Sequence, residues 1–419
     1  MTRTPTAPTG AALRAYLAAS RAIPLVARPA LRRRLARGKE LPDRWREKLG
    51  EPGLPRPDGP LVWLHAVGLG ETLALRGLIA AMADQAPGLE FLVTSGTRGS
   101  AEVFGANLPP RTRHQFLPLD APPFLARFLD HWRPALSVWA EQDLWPGAVV
   151  ATARRGIPLA LVNARMNDAA FARRRRGAGL FGDLLARFAL IAAQDEGTAR
   201  HLAQLGARDV RITGSLKAAA PPLTADRGQL ERLGSVLADR PVVLLASSHP
   251  EDEAVTLAAL RRLHRRPLLL IAPREPSRGA EIAAQVAALG LRASRRGAGQ
   301  GPEADVWIVD TLGEMGLWYR LSPITLVGGS FGATEGHNPW EPAALGSAIL
   351  HGPRIGNFST DYARLHAADA ALQVGEETLG PALVADHSRM AARGRALSTA
   401  ARGELVPLAR DLLALGGLS

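Results

Sequence analysis

Short apolar runs alternate with longer helical stretches along most of this chain from residue 61 onward. Each run is rich in aliphatic and aromatic residues and predicts a strand that is buried on both faces. In the first half, the predicted strands are LVWLHAVG (61–68), FLVTS (91–95), FLPL (116–119), LSVWA (136–140), IPLALVNAR (157–165), ALIAAQ (189–194) and VRITG (210–214). Strands separated by helices predict a parallel sheet that is covered on both sides.

The alternation starts again after AAAPPLTADRG (218–228), a stretch with prolines and no apolar period. The second set of predicted strands is PVVLLASS (241–248), RPLLLIAPR (266–274), LRAS (291–294), VWIVD (306–310), ITLVGG (324–329) and SAILHG (347–352). We therefore predict an α/β protein with two doubly wound, Rossmann-like domains, at residues 41–220 and 221–419. The last helices, from about residue 383, are candidates to cross back onto the first domain.

The first 40 residues are predicted to form a separate basic segment. Residues 1–50 hold 12 Arg or Lys and 3 Asp or Glu, a surplus of 9 in a chain of net charge +12. Such a surplus suits an anionic membrane surface or a phosphorylated lipid. It also suits a nucleic acid, but no nucleic-acid reader motif accompanies it, so we expect no nucleic-acid partner.

Two interpretations of residues 11–37 remain open: a helix lying in the membrane interface, or a basic surface helix packed on its own domain. No window of the sequence is apolar enough to span a membrane. A signal-peptide cleavage pattern is also absent, which indicates a cytoplasmic protein.

Several enzyme classes are excluded or disfavoured by missing residues. The chain has no cysteine, so disulfides and thiolate metal sites are excluded. No HExxH motif, Walker A lysine, nucleophile elbow or EF-hand loop is present. An early G-x-G-x-x-G with a later acidic residue is also missing, which disfavours a Rossmann dehydrogenase.

The most informative loop is GGSFGATEGHNPWEP (328–342), which follows an apolar run. A strand, a glycine loop and a helix start form the arrangement in which backbone N–H groups and the helix dipole meet a phosphate. A carboxylate one turn into the helix can accept hydrogen bonds from ribose hydroxyls. A turn that merely needs positive φ gives the same glycines. The nucleotide-binding candidates here are Gly329, Ser330, His337, Asn338 and Glu341.

Two glutamates follow strands of the first predicted sheet. Glu71 comes directly after the turn from Gly68 to Gly70 and opens a helix, and Glu141 follows the strand LSVWA. A partly desolvated carboxylate at such a position can act as a general base. A first-turn glutamate also stabilises the helix dipole, and the sequence leaves both interpretations of Glu71 open.

Other polar residues at strand ends are candidates for binding an anionic ligand. Asn163 and Arg165 close one predicted strand and can orient an acidic sugar or a phosphate. The arginine run 173–176 is either a phosphate site or a solvated loop. The remaining candidates are Lys217, Ser248, His249, Arg274, Asp310 and Glu314, of which the last two also suit helix capping.

In combination, the motifs resemble the 3-deoxy-D-manno-octulosonic acid (Kdo) transferases of lipopolysaccharide biosynthesis. The resemblance covers nearly the whole chain from about residue 40 and rests on the order of the motifs across both domains. These motifs are LHAVGLGE (64–71), AEQDLWP (140–146), IPLALVNAR (157–165), TGSLK (213–217), ASSHPEDE (246–253), IAPREP (271–276), DTLGEM (310–315), GGS (328–330), GHNPWEP (336–342) and GPRIGNF (352–358).

The resemblance implies a GT-B glycosyltransferase fold, in which two Rossmann-like domains face a cleft. It implies an inverting transfer of Kdo from CMP-Kdo to a lipid A precursor, lipid IVA, at the cytoplasmic face of the bacterial inner membrane. No metal or other cofactor is expected. Residues 1–40 would then associate with the anionic membrane surface, residues 41–220 would bind the acceptor, and residues 221–419 would bind the CMP-sugar.

The resemblance also implies roles for individual residues. Glu71 matches the base that deprotonates the acceptor hydroxyl, and Glu141 matches a second acid of the acceptor domain. The positions associated with the CMP half of the donor are Arg274, Asp310, Glu314, Gly329, Ser330, Asn338 and Glu341. The remaining substrate-binding candidates are Gly70, Asn163, Arg165, Lys217, Ser248 and His249.

Four departures from the family pattern lie in or beside the first domain. Gly68 and Asn167 stand where Ser is usual, Asp143 where Glu is usual, and Ser215 where Asn is usual. A paralogue with a different acceptor, or with a different number of transferred Kdo residues, is therefore an alternative. A non-catalytic paralogue that binds nucleotide or lipid is another, although Glu71 argues against it.

Overall fold

A computed structural model describes residues 9–105, 108–141, 143–238 and 240–418, without the side chains of Leu69 and Val103. Residues 1–8 of the predicted basic segment lie outside this range. The chain divides into two compact units, Met1–Ala220 with Ala401–Ser419, and Pro221–Ala400. The end of the chain, predicted as a candidate to cross back, thus groups with the first unit.

The first unit is built on a parallel sheet that has seven strands within the described residues. The strands are β1 Leu61–His65, β2 Glu90–Ser95, β3 Thr112–Phe116, β4 Leu136–Ala140, β5 Leu159–Ala164, β6 Leu190–Ala193 and β7 Val210–Ile212. Their spatial order is β3-β2-β1-β4-β5-β6-β7. The winding direction therefore reverses between β1 and β4, and ligands bind in doubly wound sheets at the carboxyl ends beside such a switch point.

Helices cover both faces of this sheet. They are α1 Ala11–Ala19, α2 Ile23–Ala36, α3 Leu69–Gln85, α4 Arg98–Gly105, α5 Pro122–Trp132, α6 Pro146–Arg154, α7 Asp168–Arg175, α8 Ala178–Leu185 and α9 Glu196–Gln204. Large aromatic side chains fill the core, where the ring of Trp63 lies 4.9 Å from that of Phe128 and 5.5 Å from that of Trp139. Both pairs have the edge-to-face geometry that aromatic rings prefer.

The basic N-terminal segment forms α1 and α2. Leu13 on α1 is fully buried, and the Tyr16 hydroxyl donates to Asp120 Oδ2 at 2.7 Å, so α1 packs on its own unit. On α2, by contrast, the side chains of Leu25 and Val26 are 81% and 62% exposed. No helix within the described ranges is long and apolar enough to cross a membrane.

The second unit repeats the plan with seven parallel strands among its described residues. They are β8 Val242–Ser248, β9 Leu268–Pro273, β10 Ala293–Arg295, β11 Val306–Ile308, β12 Ile324–Val327, β13 Ala348–His351 and β14 Ala371–Gln373. Their order is β10-β11-β9-β8-β12-β13-β14, so the switch point lies between β8 and β12. The predicted α/β class with two doubly wound units is confirmed.

The helices of the second unit follow the same alternation. They are α10 Arg227–Leu237, α11 Pro250–Arg262, α12 Gly279–Ala288, α13 Met315–Leu321, α14 Trp340–Leu345, α15 Ser359–Ala367 and α16 Glu376–Ala382. The long α17 Ser388–Gly416 begins in this unit, and its part from Ala401 onward belongs to the first unit. Short 3₁₀ turns occur at Ser20–Ala22, Trp45–Leu49, Pro276–Arg278, Arg296–Ala298 and Gly356–Phe358.

One strand was predicted at the wrong place and another was not predicted, and both cases have a physical reason. The predicted strand at 116–119 lies too late, because β3 ends at Phe116. Its polar residues have tertiary partners that no apolar pattern reveals: Gln115 Oε1, for example, accepts the Trp132 Nε1 proton at 2.8 Å. We did not predict β14, since two of its three residues are exposed and leave no apolar run.

Candidate active site

The acids predicted from sequence meet at the switch point of the first sheet. Glu71 lies in the first turn of α3, which follows β1, and Glu141 directly follows β4. Because β1 and β4 are hydrogen-bonded neighbours, the two carboxyl groups come within hydrogen-bonding reach of each other. The sheet topology therefore assembles the predicted acid pair.

Glu71 closes the loop that leads into α3. Its Oε2 accepts the backbone N–H groups of Val67 and Gly68, each at 3.1 Å. The carboxylate thus occupies N–H groups that a helix start leaves without partners. These contacts agree with the interpretation of Glu71 as a first-turn residue of the helix, and its role as a base stays a prediction. Gly70 beside it is exposed, and a methyl group there would meet open space.

Glu141 is a strained carboxylic acid whose side chain is only 17% exposed. Its φ of 63° lies in the left-handed region, and its N–H donates to the Val162 carbonyl at 3.0 Å. Burial, together with the neighbouring Glu71, raises the pKa of Glu141 to about 7, although Lys217 and Arg165 lower it. Near neutral pH, therefore, this group is poised to gain or lose a proton.

A third acid extends the cluster. Burial, and then the charge of Glu71, raises the pKa of Asp143, whereas Arg174 lowers it. Arg174 belongs to the arginine run 173–176, in which it alone is half-buried and the others are exposed. The run thus contributes one guanidinium to the site and presents the rest to solvent.

The cations and the amide predicted for this unit also gather around Glu141. Lys217 Nζ lies 3.6 Å from Glu141 Oε1, and Arg165 is close enough to act on its ionisation. The Asn163 side chain donates to Glu141 Oε1 at 3.3 Å and is buried. An acidic ligand here would meet cations, while Asn163 is engaged by the protein itself.

At the switch point of the second sheet, two histidines stack. His249 follows Ser248 at the end of β8, and its Nε2 lies 2.9 Å from the Nε2 of His337. The ring centroids are 5.1 Å apart and the rings are nearly parallel. At the nitrogen–nitrogen distance of 2.9 Å, one imidazole donates a hydrogen bond and the other accepts it. Burial, with smaller contributions from His249 and Arg274, lowers the pKa of His337 to about 4.

Arg274 directly follows β9 and adds a fixed positive charge to this edge. Within the described residues, its guanidinium makes no ion pair or side-chain hydrogen bond, and the residue is exposed. A guanidinium without an acidic partner beside imidazole donors suits a phosphate or a carboxylate.

The glycine loop does not leave its backbone donors available. Asp252, which is fully buried, accepts the N–H groups of Gly329 at 2.6 Å, of Ser330 at 3.1 Å and of Phe331 at 3.1 Å. Gly329 has a φ of 69°, in line with the interpretation that the turn needs glycine. The expectation that the N–H groups of Gly329 and Ser330 cradle a phosphate is not supported, because a carboxylate of the protein already binds them.

Glu341 is held beside this loop. Its carboxylate accepts from the Tyr319 hydroxyl at 3.2 Å and from Asn338 Nδ2 at 3.4 Å. Burial raises its pKa, which Tyr319, Asn338 and then Arg274 lower. This short chain of polar groups supplies both donors and acceptors, the combination that recognises hydroxyl groups.

Asp310 and Glu314 lie farther from the switch point, since β9 separates β11 from β8. Asp310 Oδ2 accepts two hydrogen bonds from Arg295, and its Oδ1 accepts the Gly297 N–H at 2.7 Å. Glu314 Oε2 accepts a hydrogen bond from Arg296 Nε at 2.6 Å. Both carboxylates already fix a neighbouring loop, so their roles in ligand binding stay predictions.

Sequence reasoning missed Asp252 and Gln194. Asp252 stands within ASSHPEDE at the third helical position, and the capping-box spacing after His249 was the signal for it. Gln194 ends a predicted strand and gave no separate signal. In the described part of the chain, no group of three His, Asp or Glu side chains is placed to hold a metal ion; metal independence stays a prediction.

Comparison with known proteins decides the family. The model of the 3-deoxy-D-manno-octulosonic-acid transferase (kdotransferase) family matches residues 43–220. A 3-deoxy-D-manno-octulosonic acid transferase of Rickettsia felis is 36% identical over 327 residues, 76% of this chain and 70% of that protein. The corresponding protein of Bordetella pertussis is 36% identical over 369 residues, 83% of this chain and 84% of that one. The chain belongs to the Kdo transferase family.

A solved structure agrees on the fold. A glycosyltransferase of Rickettsia africae superimposes with a TM-score of 0.52 at 12% identity, over 86% of this chain and 99% of that one. The fold of this Kdo transferase family member is therefore GT-B, as the sequence motifs implied, and the chain is a glycosyltransferase by family.

Proposed function

We propose that this chain transfers Kdo from CMP-Kdo to a lipid A precursor, lipid IVA, with inversion at the anomeric carbon. The observation that carries the proposal is the pair of half-buried acids, Glu71 and Glu141, at the switch point of the first sheet. Family membership supplies the donor and acceptor chemistry for that pair.

In this proposal, Glu71 is the general base. Its carboxylate takes the proton of the acceptor hydroxyl as the oxygen bonds to the anomeric carbon of Kdo, and the bond from that carbon to the CMP phosphate breaks with its electron pair. Glu141 exchanges a proton with its surroundings near pH 7 and adjusts the charge beside the base. The cations at this edge, Lys217 and Arg165, offset the charge of the Kdo carboxylate.

The second unit supplies the donor site in this proposal. Arg274 and His249 bind the phosphate of CMP-Kdo, and Glu341 with Asn338 binds the ribose hydroxyls. The side chains carry this role because Asp252 occupies the backbone donors of the glycine loop. No metal takes part in this proposed reaction, in which the charge of Arg274 stabilises the leaving phosphate and His249 donates a hydrogen bond to it.

We also infer that α2 attaches the protein to the cytoplasmic face of the inner membrane. Exposed Leu25 and Val26 lie among exposed arginines such as Arg28 and Arg32, a combination that suits an anionic lipid surface. Cosedimentation should show binding to vesicles with anionic phospholipid and weaker binding to neutral ones or at high salt. Equal binding to both kinds of vesicle, or binding unchanged by Leu25→Ser, would contradict the inference.

The proposed reaction is tested by a transfer assay with purified protein, CMP-Kdo made in situ and lipid IVA, read by mass spectrometry. A product heavier by one or more Kdo units is expected, and the mass counts the units. If no product forms while CMP still binds in calorimetry, the acceptor assignment is overturned. If CMP does not bind either, the donor assignment fails as well.

A transferase with another acceptor is the second candidate. It is favoured by Asp143, which stands where the family usually has Glu and lies within the acid cluster beside Arg174. The same assay with lipid A precursors that differ in phosphorylation distinguishes the two candidates.

A further inference from the structure

Asn163 contacts Glu141 of the acid cluster and is itself buried. The residue is 1% exposed and has a φ of 54°, at the place where the register between β5 and β6 shifts. Asparagine tolerates the left-handed region better than most residues, but the conformation is still strained. Strain at a buried polar residue beside a catalytic group is typical of a functional site.

The orientation of the Asn163 amide follows from its partners. Oδ1 accepts the backbone N–H of Leu216 at 2.9 Å and Gln194 Nε2 at 3.0 Å. A backbone N–H can only donate, so the oxygen must face Leu216 and the NH₂ group must face away. The NH₂ group therefore points at Glu141 Oε1, at 3.3 Å.

One side chain thus fixes two parts of the site. Through Nδ2 it holds the carboxyl group of Glu141, and through Oδ1 it holds Leu216, the neighbour of Lys217. Lys217 in turn lies 3.6 Å from the same Glu141 oxygen. Gln194 secures the arrangement, since its Nε2 also donates to the Asn163 carbonyl at 3.1 Å.

We propose that Asn163 is a positioning residue whose amide holds Glu141 and the segment of Lys217 in one geometry, with Gln194 as its support. The proposal deepens the proposed function, because it assigns Asn163 to the acid pair and not to contact with substrate. The groups that act on Glu141 in the described structure are Glu71 on α3, Lys217, Arg165 and the Asn163 amide itself. Among these groups only the Asn163 amide is neutral, so replacing it leaves Glu71, Lys217 and Arg165 in place.

Asn163→Asp is the decisive variant. It keeps an oxygen for Leu216 and Gln194 but replaces the NH₂ group by an acceptor that faces another acceptor. The expected result is a fall in kcat of about 10- to 100-fold, with unchanged affinity for CMP. Gln194→Met adds no charge and should lower kcat less, because it removes only the support of the amide.

A titration separates positioning from a merely structural role. The side-chain carboxyl carbons of ¹³C-glutamate-labelled protein are followed by NMR, and Glu141→Gln assigns the signal of Glu141. Its midpoint should move to higher pH in Asn163→Asp, since a further acid then lies beside Glu141 in addition to Glu71. Gln115→Met is the control, because Gln115 on β3 is the buried acceptor of the Trp132 indole N–H. This variant should lower Tm and leave kcat and the Glu141 titration unchanged.

The proposal is overturned if Asn163→Asp keeps the wild-type kcat and titration, or lowers only Tm. If wild-type protein forms no Kdo product, the proposed function fails, and the titration still decides the role of Asn163. If Asn163→Asp does not fold, Gln194→Met decides: an unchanged kcat in that variant contradicts the proposal.

Discussion

The two units share the plan of a doubly wound parallel sheet, although the strand order differs on one side of the switch point, and they present opposite chemistry at their switch points. At the edge of the first sheet, Glu71, Glu141 and Asp143 crowd together, and burial raises the pKa of the last two. At the edge of the second sheet, Arg274 is exposed and the half-buried His249 stacks on His337, whereas Asp252 turns inward onto backbone N–H groups. The sheet therefore provides only the location, and the side chains that end its strands decide whether acid–base chemistry or anion binding follows.

The largest expected effect of a substitution falls on the acid edge. Glu71→Gln keeps an oxygen for the loop N–H groups but cannot take a proton, so kcat should fall by about 100- to 10,000-fold. Steady-state transfer kinetics measure the loss, and calorimetry with CMP should show unchanged binding. An active Glu71→Gln protein would remove this residue from the mechanism.

The inward-turned acid of the second unit should matter mainly for stability. Asp252→Asn loses a charged acceptor that binds several N–H groups, so the free energy of unfolding should fall by about 3 kcal/mol. Urea denaturation measures the change, with exposed Glu281→Gln as the control. A stable variant with weakened CMP binding would show instead that Asp252 belongs to the ligand site.

The outward-facing cation should matter for the donor alone. Arg274→Ala should raise KM for CMP-Kdo by about 10- to 100-fold and leave Tm nearly unchanged, because the exposed guanidinium makes no ion pair or side-chain hydrogen bond within the described residues. Arg292→Ala is the matched control, since Arg292 is exposed and binds only Asp305 among the described side chains. If Arg274→Ala binds CMP-Kdo with normal affinity, the prediction that the edge of the second sheet binds an anion is contradicted.

The smallest effect is a pH dependence of stability at the acid edge. Burial raises the pKa of Glu141 from its ordinary value near 4.5 to about 7, so the unfolded chain loses this proton at lower pH than the folded one. The stability of the wild type should therefore fall relative to Glu141→Gln by roughly 2 kcal/mol as the pH rises from about 5 to about 7. Urea denaturation of both proteins across this pH range measures the difference. If their free energies of unfolding change in parallel with pH, the raised pKa of Glu141 is contradicted.

Most of the fold could be predicted from local patterns. The apolar run of β1 is buried at every position, so the run alone predicts it, and the same holds for β4 and β12. β3 could not be placed in the same way, because polar residues such as Gln115 are satisfied only by tertiary partners. Edge strand β14 is too exposed to leave a pattern.

The site could be predicted in part. Glu71 and Glu141 follow strands, and the carboxyl ends of parallel strands lie on one edge of a sheet, so their proximity was predictable once both strands were assigned to that sheet. The engagement of Asn163 by Leu216 and Gln194 was not, because it joins β5 to residues far along the chain.

The sequence by itself determined the alternation of strands and helices, the family and the residues that end the strands, because these depend on local composition and order. Only the tertiary structure decided that β1 pairs with β4 and that Asp252 takes the N–H groups of the glycine loop. It also decided that Glu141 titrates near neutrality. Burial and hydrogen bonding between distant segments produce these properties, and neither is encoded at any single position.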